Sequence, residues 1–196
     1  MHLLLTVLIV FMVSAVQAEN TQLDVYLGWT RLDAGGNDEF KSGNALAVHY
    51  DYFLKPWLAA DIGLYISDKT LEQSREDIVG NYRTTIKSQA ILLGVKPRYR
   101  FKNPYEIFGR LGLQYWRTEL EVEEYFGTGI PGGTDSAKDT GYGYYASFGG
   151  GYYATENVLV QIELRYMEQL DVFDGESQYP FDLAITSFSF GIGYRF

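Results

Sequence analysis

The chain has 196 residues, with 16 Lys and Arg against 25 Asp and Glu, a net charge of −9 and no cysteine. This is the length of one domain; the lack of cysteine excludes a disulfide scaffold or a cysteine-linked lipid anchor, and the acidity argues against a nucleic-acid partner, which needs a basic face. The 17 Tyr, 12 Phe, 3 Trp and 21 Gly suit either a water-soluble β-sandwich or a membrane barrel with aromatic girdles.

Residues 1–18 read as a signal peptide. Leu3 to Val16 is apolar apart from Thr6 and Ser14 and leads into Val16-Gln17-Ala18, whose small residues suit cleavage after Ala18. The alternative, an anchor helix, needs about 20 apolar residues. The n-region carries no Lys or Arg, only His2. Residues 19–196 are then the mature domain.

Beyond the leader the chain alternates with period 2, which sends successive side chains to opposite faces of a strand. The first strand sets Leu23, Val25, Leu27 and Trp29 against Asp24, Tyr26, Gly28 and Thr30. The second sets Leu46, Val48, Tyr50 and Tyr52 against Ala45, Ala47, His49 and Asp51. In the third, Leu58, Ala60, Ile62, Leu64 and Ile66 oppose Ala59, Asp61, Gly63, Tyr65 and Ser67. The fourth places Ile91, Leu93, Val95 and Tyr99 opposite Gly94, Lys96, Arg98 and Arg100. In the fifth, Leu111, Leu113 and Tyr115 oppose Glu106, Arg110, Gly112 and Gln114. Gly149, Gly150 and Gly151 blur the sixth, where Tyr145 and Tyr153 are expected outward and Tyr144, Phe148 and Tyr152 inward. The seventh sets Val160, Ile162, Leu164 and Tyr166 against Gln161, Glu163 and Arg165. The eighth alternates Phe188, Phe190, Ile192, Tyr194 and Phe196 with Ser187, Ser189, Gly191, Gly193 and Arg195.

Sandwich and barrel both predict alternation, so the connections decide. Phe53–Trp57, Phe101–Tyr105 and Thr155–Asn157 are short, whereas Asp33–Gly43, Asp68–Thr84, Thr118–Thr140 and Met167–Asp182 are long. Short and long connections in strict turn put turns at one end and loops at the other, as in outer-membrane barrels and not in Greek-key sandwiches. The expected fold is all-β: an eight-stranded, antiparallel, up-and-down transmembrane barrel in the bacterial outer membrane, with short periplasmic turns and long extracellular loops. An aromatic belt is expected from Tyr52, Phe53, Trp57, Tyr99, Phe101, Tyr105, Tyr153, Tyr194 and Phe196 at the turn end, and from Trp29, Tyr115, Tyr145 and Tyr166 at the loop end.

An eight-stranded barrel is just wide enough for side chains to fill. Its expected luminal charges are Lys96, Arg98, Arg100, Arg110, Arg165 and Arg195 with Asp24, Asp51, Asp61, Glu106 and Glu163, and His49 joins them. A selective pore would be lined mainly by one sign, and near-balanced buried charges should pair. Asp61 is expected beside His49 and Lys96 or Arg98, Arg100 beside Glu106, and Arg195 beside Asp24.

The stretches Gly149–Val158 and Gln161–Tyr166, Gly94–Phe101 before Pro104-Tyr105, and Gly191–Phe196 resemble the OmpA-type transmembrane domain and its relatives among small outer-membrane barrels, the OmpX-like and opacity-type proteins. The resemblance implies eight strands, a lumen of paired charges, and assembly by the barrel-assembly machinery through the terminal strand, with Tyr194 and Phe196 as the signal. Glu163 stands where OmpA-type barrels carry a luminal glutamate, whereas Tyr152 takes the place of another. No periplasmic peptidoglycan-binding domain follows the eighth strand, so cell-wall tethering is not expected.

The long loops are acidic. Glu119, Glu121 and Glu123 alternate with Leu120 and Val122, a carboxylate row that could hold Ca²⁺ or Mg²⁺ against lipopolysaccharide phosphates, although its spacing matches no compact calcium loop. A solvated loop is the simpler reading, with no metal and no cofactor. Acyl transfer would need a Ser–His pair with an orienting carboxylate. The mature chain's one histidine, His49, has no obvious serine partner, so no enzyme is expected. The functional expectation is a monomeric structural or surface-interaction barrel in outer-membrane lipid and lipopolysaccharide. The alternative is a narrow, low-conductance pore gated by luminal ion pairs, and a lipid-modifying enzyme comes third.

Overall fold

In a computed structural model of the chain, the structure describes residues 20–33, 43–68, 73–76, 80–102, 104–126, 131–173 and 181–196. The expected signal peptide lies outside the described residues, as do the acidic positions Asp174 and Glu176 of the last long connection. The strands are β1 (Thr21–Asp33), β2 (Gly43–Lys55), β3 (Leu58–Asp68), β4 (Gln73–Glu76), β5 (Gly80–Arg100), β6 (Tyr105–Phe126), β7 (Pro131–Tyr153), β8 (Val158–Val172) and β9 (Phe181–Arg195). All neighbours pair antiparallel. The β3–β5 pairing closes the sheet into a ring of the eight expected strands, and β4 adds to the outer part of β5. At the seam β1 pairs with β9, and the Phe196 N–H donates to the Thr21 carbonyl at 3.0 Å. Closure leaves no sheet edge within the ring, which lipid demands because it offers the backbone no other partner.

Burial is inverted relative to a water-soluble protein. Leu113 is 69% and Leu93 67% exposed, whereas Asp24 and Lys96 are 0% exposed. An exterior of this kind is stable only against hydrocarbon, so the ring is a lipid-facing barrel. The expected faces of the first three strands, the seventh and the eighth are the observed ones. The short turns also stand where expected. One is Pro56-Trp57; another is Ala154–Asn157, where the Thr155 Oγ1 accepts the Val158 N–H at 3.0 Å.

The sixth expected strand, β7, has its faces reversed. Tyr145 and Tyr153 are 2% and 5% exposed, inside the barrel, while Tyr144, Phe148 and Tyr152 are 43%, 65% and 46% exposed on its exterior. Both inner tyrosines place their hydroxyls on luminal carboxylates, and Ser147, Gly149 and Gly151 share their face. A Cβ on Gly149 would lie 2.4 Å from the Phe108 ring, so the missing side chains make room for a neighbour in a crowded lumen. The aromatic belts lose their inward members accordingly: Tyr145, Tyr153 and Phe53 are luminal, and Phe53 is 6% exposed. The lower belt keeps Tyr52, Trp57, Tyr99, Phe101, Tyr105, Tyr194 and Phe196; the upper keeps Trp29, Tyr115 and Tyr166, to which exposed Tyr142 and Tyr144 add.

Much of the expected loop sequence is strand. β5, β6 and β7 run for 21, 22 and 23 residues, whereas crossing the membrane takes about 9–11. Their excess of roughly ten residues, at about 3.3 Å each, makes some 30 Å of sheet beyond the bilayer.

Candidate functional site: the luminal charge cluster

Strand alternation turns one charged side chain after another into the same narrow space, and register stacks them at one level. Arg110 on β6 lies at the centre. Its Nη2 donates to Asp24 Oδ2 at 2.6 Å and to Asp51 Oδ2 at 3.1 Å, its Nη1 to Glu163 Oε2 at 2.8 Å, and its Nε to Asp61 Oδ1 at 3.3 Å. One guanidinium thus touches carboxylates from β1, β2, β3 and β8, using the planar fork that suits arginine to such a site. Lys96 on β5 donates to Asp24 at 2.7 Å and Asp51 at 2.6 Å. Arg165 pairs with Glu163 and also donates to His49 Nε2 at 2.7 Å.

His49 has a defined tautomer. A guanidinium only donates, so Nε2 must accept and the ring hydrogen sits on Nδ1, 2.8 Å from Asp61 Oδ1. The imidazole is therefore neutral. It packs over Gly63, its direct neighbour in register, where a Cβ would come 2.7 Å from Nδ1. Nε2 faces a guanidinium and not a hydroxyl, which leaves no nucleophile–base pair at this histidine.

The expected pairings are realised in part. Asp61 meets His49, but its other partners are Arg110 and the Tyr145 hydroxyl at 2.6 Å, not Lys96 or Arg98, because Lys96 reaches across to Asp24 and Asp51. Arg100 is opposite Glu106 in register but is exposed, with its guanidinium 4.2 Å from the centroid of the Tyr153 ring. Glu106 instead accepts from Tyr153 at 2.6 Å and Arg98 at 3.4 Å. Arg195 does not meet Asp24; it is half-buried, 5.2 Å from the Phe53 ring, whose other neighbour is Arg98 at 3.9 Å. Cations at the turn end thus rest on luminal aromatic rings as cation–π pairs. Gln22 and Gln161, absent from the expected set, both donate to Asp24 Oδ1, at 2.7 and 2.8 Å. Their inward position on strands of known face was the signal that would have found them.

The loop end of the lumen is apolar, which charge alternation did not reveal. Leu32, Ile86, Trp116, Met167, Val172, Phe173, Leu183 and Ile185 are buried together there. Phe173 has φ 62°, next to a break in the β8–β9 register, and its N–H donates to Asp139 Oδ2 at 2.5 Å. A left-handed phenylalanine is strained, and here the conformation carries a buried ring at the loop end of the barrel.

The carboxylate row faces the barrel's exterior side, in the same alternation as Leu113 and Tyr115. Glu119 pairs with Lys138 at 3.1 Å and Glu121 with Lys87 at 3.2 Å; Glu123 lies across from Thr134. Among the described residues no three His, Asp or Glu side chains converge as a metal shell. Tyr194 and Phe196 lie at the turn end, their rings 4.9 Å apart.

The fold matches solved barrels across almost its whole length. Ail, the attachment invasion locus protein of Yersinia pestis, is 12% identical with a TM-score of 0.58, over 92% of this chain and 100% of Ail. Neisserial surface protein A is 13% identical with a TM-score of 0.58, over 90% and 97%. OprG of Pseudomonas aeruginosa is 11% identical with a TM-score of 0.51, over 91% and 97%. No curated protein matches the chain in sequence. The family model for the outer membrane protein beta-barrel domain matches residues 3–196. With a closed ring, a lipid-facing exterior and a charged interior in agreement, the chain belongs to the outer-membrane β-barrel family and resides in the bacterial outer membrane.

Proposed function

We propose that the protein is a closed barrel that displays a β-sheet at the cell surface for contact with partners there, and that it is neither a pore nor an enzyme. The observation that carries this reading is the filling of the lumen at successive levels: Phe53, Arg98 and Glu106, then the Arg110 cluster, then Trp116, Met167 and Phe173. A narrow pore would need a continuous polar path, and the polar side chains set among the apolar ones, Ser88, Thr118 and Gln169, are bonded to one another. The outer portions of β5, β6 and β7 then remain as the part with material to spare. Among the described residues, β7 has no partner on its β8 side before Gly143, so its outer dozen residues present an edge that another chain can extend. One structural neighbour is named for attachment and invasion, which accords with this reading. The barrel acts as a monomer among outer-membrane lipid and lipopolysaccharide, with Tyr194 and Phe196 as its handle for the assembly machinery.

The test replaces residues 119–137 with an Asn-Gly turn and compares attachment of cells expressing either form. The shortened barrel should still assemble, read from its heat-dependent gel mobility, while attachment falls to the level of cells lacking the protein. Undiminished attachment would contradict the reading.

A further inference from the structure

The cluster around Arg110 does not balance in charge. Its carboxylates are Asp24, Asp51, Asp61 and Glu163; its cations are Lys96, Arg110 and Arg165, because His49 is held neutral by the guanidinium on its Nε2. All are sealed inside the ring, where an uncompensated charge is costly. Arg98 and Glu106 form their own pair one level below.

Hydrogen bonding singles out one carboxylate. Asp24 accepts from Gln22, Gln161, Lys96 and Arg110; Asp61 from His49, Arg110 and Tyr145; Glu163 uses both oxygens, on Arg165 and Arg110. Asp51 uses only Oδ2, while its buried Oδ1 has no partner among the described residues. In register Asp51 stands directly across from Asp61 on one side and Gln22 on the other. Like charges directly opposite each other repel, and two crowded carboxylates commonly keep one proton. Gln22 supplies what such a proton needs. Its Nε2 is committed to Asp24 at 2.7 Å, which fixes the amide's orientation, and its buried Oε1 has no partner among the described residues either. Two acceptors on directly opposed residues, both without a donor, lack one hydrogen between them.

We infer that Asp51 is a proton-binding site of the folded barrel: a neutral carboxylic acid whose Oδ1–H donates to Gln22 Oε1 while its Oδ2 accepts from Lys96 and Arg110. That proton brings the cluster to zero net charge and satisfies both stranded oxygens. The groups around it are Asp24 and Gln22 from β1, Asp61 from β3, Lys96 from β5 and Arg110 from β6. Tyr145 of β7 and Glu163 and Arg165 of β8 join through Asp61 and Arg110, and β9 brings Gly191 and Gly193, which carry no charge. The inference concerns the lumen alone and is independent of what the external sheet contacts.

An unfolded Asp51 is ionised at neutral pH, so folding takes up one proton. Between the ordinary histidine range of about 6.5 and the pH at which the folded Asp51 itself ionises, the wild-type folding equilibrium constant should fall about tenfold per pH unit more steeply than that of Asp51→Asn. Asparagine reproduces the neutral acid, with an amide donor for Gln22 and an oxygen for Lys96 and Arg110. Asp51→Asn should therefore refold into lipid vesicles at pH 7 at least as well as wild type, whereas Asp61→Asn should not. Infrared spectra supply a second readout that does not depend on stability: a protonated carboxylic acid stretch above the amide band in the wild-type barrel, shifted in D₂O and absent from Asp51→Asn. Parallel pH slopes for wild type and Asp51→Asn, or no acid band in the wild type at pH 7, would overturn the inference.

Discussion

The two ends of the lumen are built on the same strands and the same alternation, yet they are held together by different physics. At the level of Arg110, every side chain is specified by a partner of opposite charge or a directed hydrogen bond. At the level of Trp116 and Met167, side chains need only be apolar and of suitable volume. Polar groups are set within this upper level, each bonded to a neighbour: Thr118 donates to Gln169 at 2.6 Å, Gln169 to Ser88 at 2.6 Å, and the Trp116 indole to the Tyr142 carbonyl at 3.0 Å. The charged level thus selects one register, because a slip of one residue would place every ion in lipid. The apolar level imposes no such charge constraint.

The charged level is most vulnerable at its most connected residue. Arg110→Met keeps much of the side-chain volume but takes the one guanidinium shared by Asp24, Asp51, Asp61 and Glu163 out of the cluster, so it should cost about 3–5 kcal/mol in urea unfolding from lipid vesicles. A smaller loss would mean that water enters and solvates the acids. In the apolar level, Met167→Ala should cost about 2–3 kcal/mol from lost burial and the cavity it leaves. That cost should be insensitive to salt and pH, because no charge is involved. A pH-dependent effect of Met167→Ala would show that the two levels are coupled and not separate layers.

How much of this was legible differs between the levels for a physical reason. Charged residues alternating with lipid-facing ones stand out, so Asp24, His49, Asp51, Asp61, Lys96, Arg110, Glu163 and Arg165 could be placed inside before any contact was known. Of their partners only the His49–Asp61 pair, on adjacent strands, could be foreseen, because Lys96 and Arg110 reach across the barrel to strands that are not their neighbours and turn geometry relates only adjacent ones. Arg100 and Arg195 misled because they lie near the turn end, where a long side chain can leave the lumen and rest on an aromatic ring. The apolar level was hidden because the alternation inverts there: Leu32, Ile86 and Leu183 point inward while Arg31, Lys87 and Asp182 point outward, beyond the stretch where lipid sets the exterior. β7 was misread for a related cause: tyrosines line both of its faces, and the informative residues were the small ones, Ser147, Gly149 and Gly151, which mark the crowded inner side. The extended hairpin was partly visible in the Glu119–Glu123 alternation, but Lys87 and Lys138, which neutralise part of it, come from neighbouring strands.

Whether the lumen conducts is read by planar-bilayer recording of the purified, refolded barrel. A closed lumen gives no discrete conductance steps for the wild type across the applied voltage range. Regular single-channel openings in the wild-type protein, abolished when Glu163 or Arg110 is replaced, would contradict it and restore the ion-pair-gated pore.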